Sequence, residues 1–293
     1  MYPHKGWPKP TPTAIMLEYD FMRTAFIAGG LVAIVAGSVG FFLVLRNLTF
    51  AAHALSHVGF AGATGSVLIG ASPLWGLLAF TLAAAVAMGL LGDRLRGRDV
   101  AIGIVLSLAL GFGVLFLYLY STHATQATAI LFGNVLGVSV EMLWALLGLS
   151  VVAVCALAAM SRPLLFATLA PELAEARGVS LRTISVLFLV VVAVTVAEAA
   201  QVVGVLLVFA LMVGPAATSL RLTSRVGWGI GIAVVLALAE TWLGIALAYI
   251  TDWPTTFWIV MASCSAYFLS LLVRPARVFL HASSKDRRRG IHA

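Results

Sequence analysis

Two histidines stand four residues apart in "TFAAHALSHVGFAGATG", residues 49 to 65, a stretch otherwise apolar or small. On a helix, positions i and i+4 share a face, so His53 and His57 can aim both imidazoles at one point. Neutral imidazole is a donor for borderline divalent metals, at roughly 2.0–2.1 Å for zinc. The spacing alone leaves a second use open, in which each ring is a packing group hydrogen-bonded to backbone or to a nearby Ser or Thr. Beyond the pair, Gly59, Gly62 and Gly65 recur every third residue, and small residues of this kind let helices approach closely. Two neutral rings cancel none of a divalent ion's charge, so a carboxylate is the natural further ligand. Glu198 in "TVAEAAQVVG" is the first candidate and Glu240 in "LALAETWLG" the second. An ionised carboxylate in apolar surroundings needs a partner or a proton. The other uses are a span-end group near the interface for Glu198 and a helix–helix hydrogen bond for Glu240.

Composition identifies the solvent around these residues. Of the 293 residues, 62% are hydrophobic and 10% charged, with mean hydropathy +1.08. Soluble domains carry about a quarter charged residues. The chain therefore reads as an all-α integral membrane protein. A run of about 20 apolar residues crosses the hydrocarbon as a helix, and such runs recur here. The sequence predicts spans near 26–45, 49–69, 74–91, 101–120, 142–160, 184–199, 202–220, 228–250 and 257–273. No polar loop separates the two around Glu198, so the bundle has eight or nine transmembrane helices. The organisation is a polar tail at 1–24, a transmembrane domain at 25–275 and a basic tail at 276–293, with no soluble catalytic domain.

The amino-terminal stretch is proline-rich and charged without a convincing cleavage site, and reads as a retained tail. Cys155 and Cys264 fall in apolar spans and are expected to be small buried hydrophobes. Basic residues collect on cytoplasmic loops. Placing Arg46, Arg94, Arg96, Arg98, Arg162, Arg177, Arg182, Arg221, Arg225 and the tail from Arg274 inside puts 15 of the 18 Lys and Arg on one side. Lys5, Lys9 and Arg23 are left opposite. A nine-span path with its amino end outside and its carboxyl end inside satisfies this arrangement. The net charge of +7 is thus a topology signal. The terminal "KDRRRG" reads as a solvated tail near anionic lipid, and nucleic acid is not an expected partner.

The longest internal polar stretch, "SRPLLFATLAPELAEARGVSLRT" at 161–183, carries the marks of a short helix. Pro171 suits a first helical position, Glu172 and Glu175 lie in the first turn, Arg177 lies near the end, and Gly178 can close it. Such a helix outside the membrane is either a solvated connector or a docking element for another protein.

Four stretches together resemble the permease subunits of bacterial metal-ion ABC importers, which take up zinc, manganese or iron(II). They are "FMRTAFIAGGLVAIVAGSVGFFLVLRNLTFAAHALSHVGFAG", "ILFGNVLGVS" at 130–139, "PELAEARGVS" at 171–180 and "VVGVLLVFALMVGPAATSLRL" at 202–222, in family order over about 21–270. The resemblance implies a type II importer permease fold in the bacterial inner membrane, with a cytoplasmic ATP-binding subunit and an extracytoplasmic metal-binding protein, and the single docking loop per chain points to a homodimer. The family's "Asp-Ala-Leu-Ser-His" run is implied to hold the metal. Here Ala54, Leu55, Ser56 and His57 match, while His53 stands where the Asp is expected. "PELAEARGVS" resembles the coupling helix, about 171–179, implying an ATPase-docking role for Glu172, Glu175, Arg177 and Gly178. The "VGPAATS" segment around Pro215 resembles the end of a helix beside the pathway.

Several chemistries are excluded. No "GxxxxGK[ST]" loop occurs, so ATP hydrolysis belongs to a partner, and "HALSH" lacks the glutamate of a zinc protease. The chain is expected not to be an enzyme and to hold no tight cofactor, its metal being cargo. A secondary-active metal transporter is the alternative, though it needs no docking helix. A membrane metalloenzyme or cytochrome using His53 and His57 is weaker, because one helix cannot supply both axial haem ligands from opposite faces. A nitrogen-rich pair favours zinc over harder manganese, with iron(II) also open.

Overall fold

In hydrocarbon every backbone N–H and C=O must be satisfied within the protein, and a helix does this segment by segment. The computed structural model describes residues 16, 18–91, 98–119, 131 and 133–273. Among them the regular elements are all helical. Most of the expected polar tail, the basic tail and the loop arginines Arg94 and Arg96 lie outside the described residues.

The helices are α1 (Asp20–Leu45), α2 (Thr49–Leu68), α3 (Pro73–Leu91), α4 (Arg98–Leu119), α5 (Val140–Leu169), α6 (Pro171–Ala176), α7 (Leu181–Val203), α8 (Val205–Leu222), α9 (Val226–Thr251) and α10 (Thr255–Leu272). A 3-10 turn, Val135–Gly137, precedes α5. Eight of the described helices are long and apolar enough to cross a membrane by length and composition. α2 has 20 residues and the length to do so. Its histidines, serines and glycines make it less apolar, and neighbouring helices enclose it: Ala51, Ala52, Ala54, Leu55 and Val58 are buried.

The junction of α7 and α8 decides between eight and nine spans. Gly204 alone separates them, at φ 85°, a left-handed conformation that only glycine adopts without strain. A straight continuation would carry Phe209 ~36 Å beyond Ser185. Yet Ser185 bonds to Arg46 at 3.1 Å, and Phe209 touches His53, only seven residues past Arg46. The chain therefore folds back at Gly204, and α7 and α8 are separate spans.

Two expectations need correction. The span predicted to end at Met160 continues through Pro163 to Leu169. A helix-interior proline forfeits a backbone bond. The extension is held because Leu164 and Ala167 on its inner face are buried in the core. The cysteines also differ: both Cys155 on α5 and Cys264 on α10 are exposed at the bundle surface. In a bilayer that surface meets lipid, so an apolar thiol needs no burial inside the protein.

One end of the bundle is tied by arginines. Arg46, after α1, reaches the end of α5 and the start of α7. Arg182 at the start of α7 donates to Leu90 O near the end of α3 at 3.4 Å. The ends of α1, α3 and α5 thus meet the start of α7.

Candidate functional site

The histidine helix is fixed from behind. Gly62 of α2 meets Gly76 of α3 backbone to backbone, so closely that a Cβ on Gly62 would lie 2.2 Å from Gly76 O. His53 is nine residues from Gly62, two and a half turns, and so projects from the opposite face. The glycine stripe expected to allow close packing does so against α3 and α4. Gly59 abuts Leu77, and Gly65 abuts Phe116.

On the open face the two imidazoles lie 4.7 Å apart between ring centres, nearly perpendicular at 83°. His53 is exposed and His57 half-buried. Neither ring bonds to another described residue. The nearby Ser56 hydroxyl instead donates to Ala52 O at 3.0 Å within its own helix. The hydrogen bonds that would make these histidines packing groups are therefore not formed. Imidazoles on adjacent corners of one tetrahedral ion have ring centres roughly 5 Å apart, close to this separation. From α8, Phe209 lies nearly perpendicular to His53, 5.5 Å between ring centres. Sequence reasoning did not single out Phe209, although it lies within the fourth family-like stretch. Pro215, in the same stretch, is buried inside α8, which continues beyond it to Leu222.

The two carboxylates lie elsewhere. Glu198 is fully buried in α7 and accepts a hydrogen bond from Ser150 Oγ of α5, while its Oε2 has no described partner. It is a core group and not the interfacial one of the alternative reading. Glu240 of α9 is 3% exposed with neither oxygen hydrogen-bonded. Ser263 of α10 lies close to it. The Ser263 hydroxyl, which can rotate, also lies 3.4 Å from Ala210 O, so Ser263 is the polar neighbour that α10 offers to Glu240. Among the described residues no group of three His, Cys, Asp or Glu is gathered for a metal, so neither glutamate joins the pair within one chain. One chain brings two imidazoles together on this face.

A second surface forms at the arginine-tied end. α6 begins at Pro171, and its closing turn uses Gly178 at φ 80°, with Gly178 N–H donating to Glu175 O at 2.8 Å and Val179 N–H to Ala174 O at 2.9 Å. Only Ala174 is buried. Glu172, Glu175, Arg177 and Gly178 are exposed, and Leu173 is 59% exposed beside them. Arg177 stacks over Phe166 at 5.9 Å, and neither it nor the two glutamates forms an ion pair with a described residue.

These features were compared with known proteins. The model of the ABC 3 transport family matches residues 18–274. A "Manganese transport system membrane protein MntC" from Halalkalibacterium halodurans is 30% identical over 261 residues, 89% of each chain. A "Probable metal transport system membrane protein" from Treponema pallidum is 36% identical over 239 residues, 80% of this chain and 88% of that one. The solved structure of "PsaBC from Streptococcus pneumoniae in complex with Fab" superposes with TM-score 0.81 at 26% identity, covering 90% of this chain and 95% of the matched chain. The superposition agrees with the all-helical fold, and the family match covers all four stretches. The chain belongs to the ABC 3 transport family, as a membrane-spanning permease of the metal-ion ABC importer kind and a transport subunit, not a catalyst.

Proposed function

We propose that this chain imports a divalent transition metal across the bacterial inner membrane, with His53 and His57 as its ligands in the pathway. The observation that carries the reading is a pair of imidazoles on the open face of α2, hydrogen-bonded to no described residue and 4.7 Å apart between ring centres, near the roughly 5 Å of two rings on one ion. Two such pairs, one from each copy of a homodimer, complete a four-nitrogen site. A cytoplasmic ATPase docks on α6 through Glu172, Leu173, Glu175 and Arg177, and an extracytoplasmic protein delivers the ion. The amino end lies outside and the carboxyl end inside, a placement supported by the basic residues clustered at the Arg46 end.

Zinc is the first cargo, because His53 in place of the family's Asp leaves only nitrogen donors. Manganese is the second reading, favoured by the names of the relatives from Listeria innocua and Halalkalibacterium halodurans, both manganese transport proteins. Glu198 and Glu240, buried away from the pair, are assigned no contact with the ion. A pathway site binds moderately, since an ion that enters must leave. The deciding experiment is uptake of radiolabelled zinc, manganese and iron by cells carrying His57→Ala. Most uptake is lost with normal membrane abundance and retained ATPase binding. Uptake at the parent rate for all three ions rejects the site.

A further inference from the structure

Arg46 follows the last residue of α1 and comes three residues before α2 begins. Its guanidinium grips two other helices. One nitrogen donates to the Thr168 hydroxyl at 2.7 Å and lies 3.5 Å from Leu164 O, both near the end of α5. The other donates to the Ser185 hydroxyl of α7 at 3.1 Å. Phe188 of α7 lies under the cation, 5.9 Å to the ring centre. These contacts flank the docking surface on both sides. α5 passes into α6 through Ala170 alone, and α7 starts after the four residues 177–180. The residue that precedes the histidine helix therefore holds both arms of α6. A guanidinium suits the task because its donors lie in one rigid plane and fix the directions of several acceptors together. A cleft of about 260 Å³, bordered by Leu45, Asn47, Ala167 and Leu181, opens beside it.

The geometry points to Arg46 as the positioning residue that carries a displacement of α6 to His53 and His57. A partner that shifts α6 moves the end of α5 and the start of α7, and Arg46 passes that shift to the first turns of α2. His57 is eight residues from Thr49, little more than two turns of a single helix, so the relay is short and stiff. Arg46 touches neither the ion nor the docking partner in this scheme. The inference rests on the proposed transport function and adds the link between its two surfaces.

The test uses the full chain assembled with its ATPase and delivery protein, with zinc and manganese ions as probes. Three variants are compared with the parent: Arg46→Ala, Arg46→Lys, and Thr168→Val combined with Ser185→Ala, which removes the acceptors at near-constant volume. Ion uptake, ATP hydrolysis, ion binding and ATPase co-purification are measured together. Arg46→Ala and the double variant are expected to lower uptake roughly tenfold while hydrolysis, binding and co-purification persist, so the ATP used per ion rises. Arg46→Lys, which keeps the charge without the planar fork, recovers part of the loss. Parent-level uptake in Arg46→Ala and in the double variant overturns the assignment. So does loss of ion binding or co-purification in step with uptake, which marks a merely structural residue. A parent complex that moves neither ion overturns the transport reading itself, and the role of Arg46 with it.

Discussion

The ligand role proposed for His53 trades charge for softness. An imidazole brings no negative charge to a dication in a medium where charge is costly, but it is a better match for zinc than a carboxylate is. His53→Asp, which restores the usual family pair, is therefore expected to preserve transport and move preference from zinc toward manganese. Competition uptake with both ions measures it, and an unchanged ratio counts against a ligand role for residue 53. The histidines were legible in the sequence because helical spacing alone puts two rings on one side. The glutamates were not, because a carboxylate within an apolar run shows that it must be satisfied but not in which direction it points. Glu198 turned to Ser150 on α5, and Glu240 to the neighbourhood of α10. Phe209 was equally invisible: its contact with His53 joins residues more than 150 positions apart.

Among elements, α2 depends on one contact. Where Gly62 and Gly76 meet, no side chain can be added without driving the two helices apart. Gly62→Leu is expected to destabilise the bundle by about 1–3 kcal/mol or more, as overpacking does. A lower melting temperature of the purified protein checks this, together with loss of metal binding as the histidine face shifts. α6 makes the opposite case, since its charged side chains touch little of their own chain. Glu175→Arg with Arg177→Glu is expected to leave insertion and abundance unchanged while weakening ATPase co-purification and uptake, because charge reversal acts on a partner surface. Normal recovery of the ATPase rejects the docking role. α6 was readable from its proline, acidic first turn and closing glycine. The length of α5 was not, because Pro163 and Arg162 looked like the start of a loop, while the burial that overrides them comes from distant helices.

For the whole molecule, the proposed assembly follows from the half-site: two donors per chain and one α6 per chain call for a twofold pair, the default for identical subunits. The mass of the purified complex is expected to contain two permease chains and two ATPases, and a transport-competent complex with a single permease refutes it. Most of this architecture was present in hydropathy, and only the fold-back at Gly204 left the number of crossings open. The outward-facing thiols give the molecule a practical property. Cys155 and Cys264 are exposed on helices of spanning length, where lipid is expected to cover them and to keep a water-borne maleimide away. The unaltered chain is thus close to its own cysteine-free background. A single cysteine introduced at any loop becomes the one position such a reagent finds, and the side from which it is labelled can be determined without first dismantling the protein.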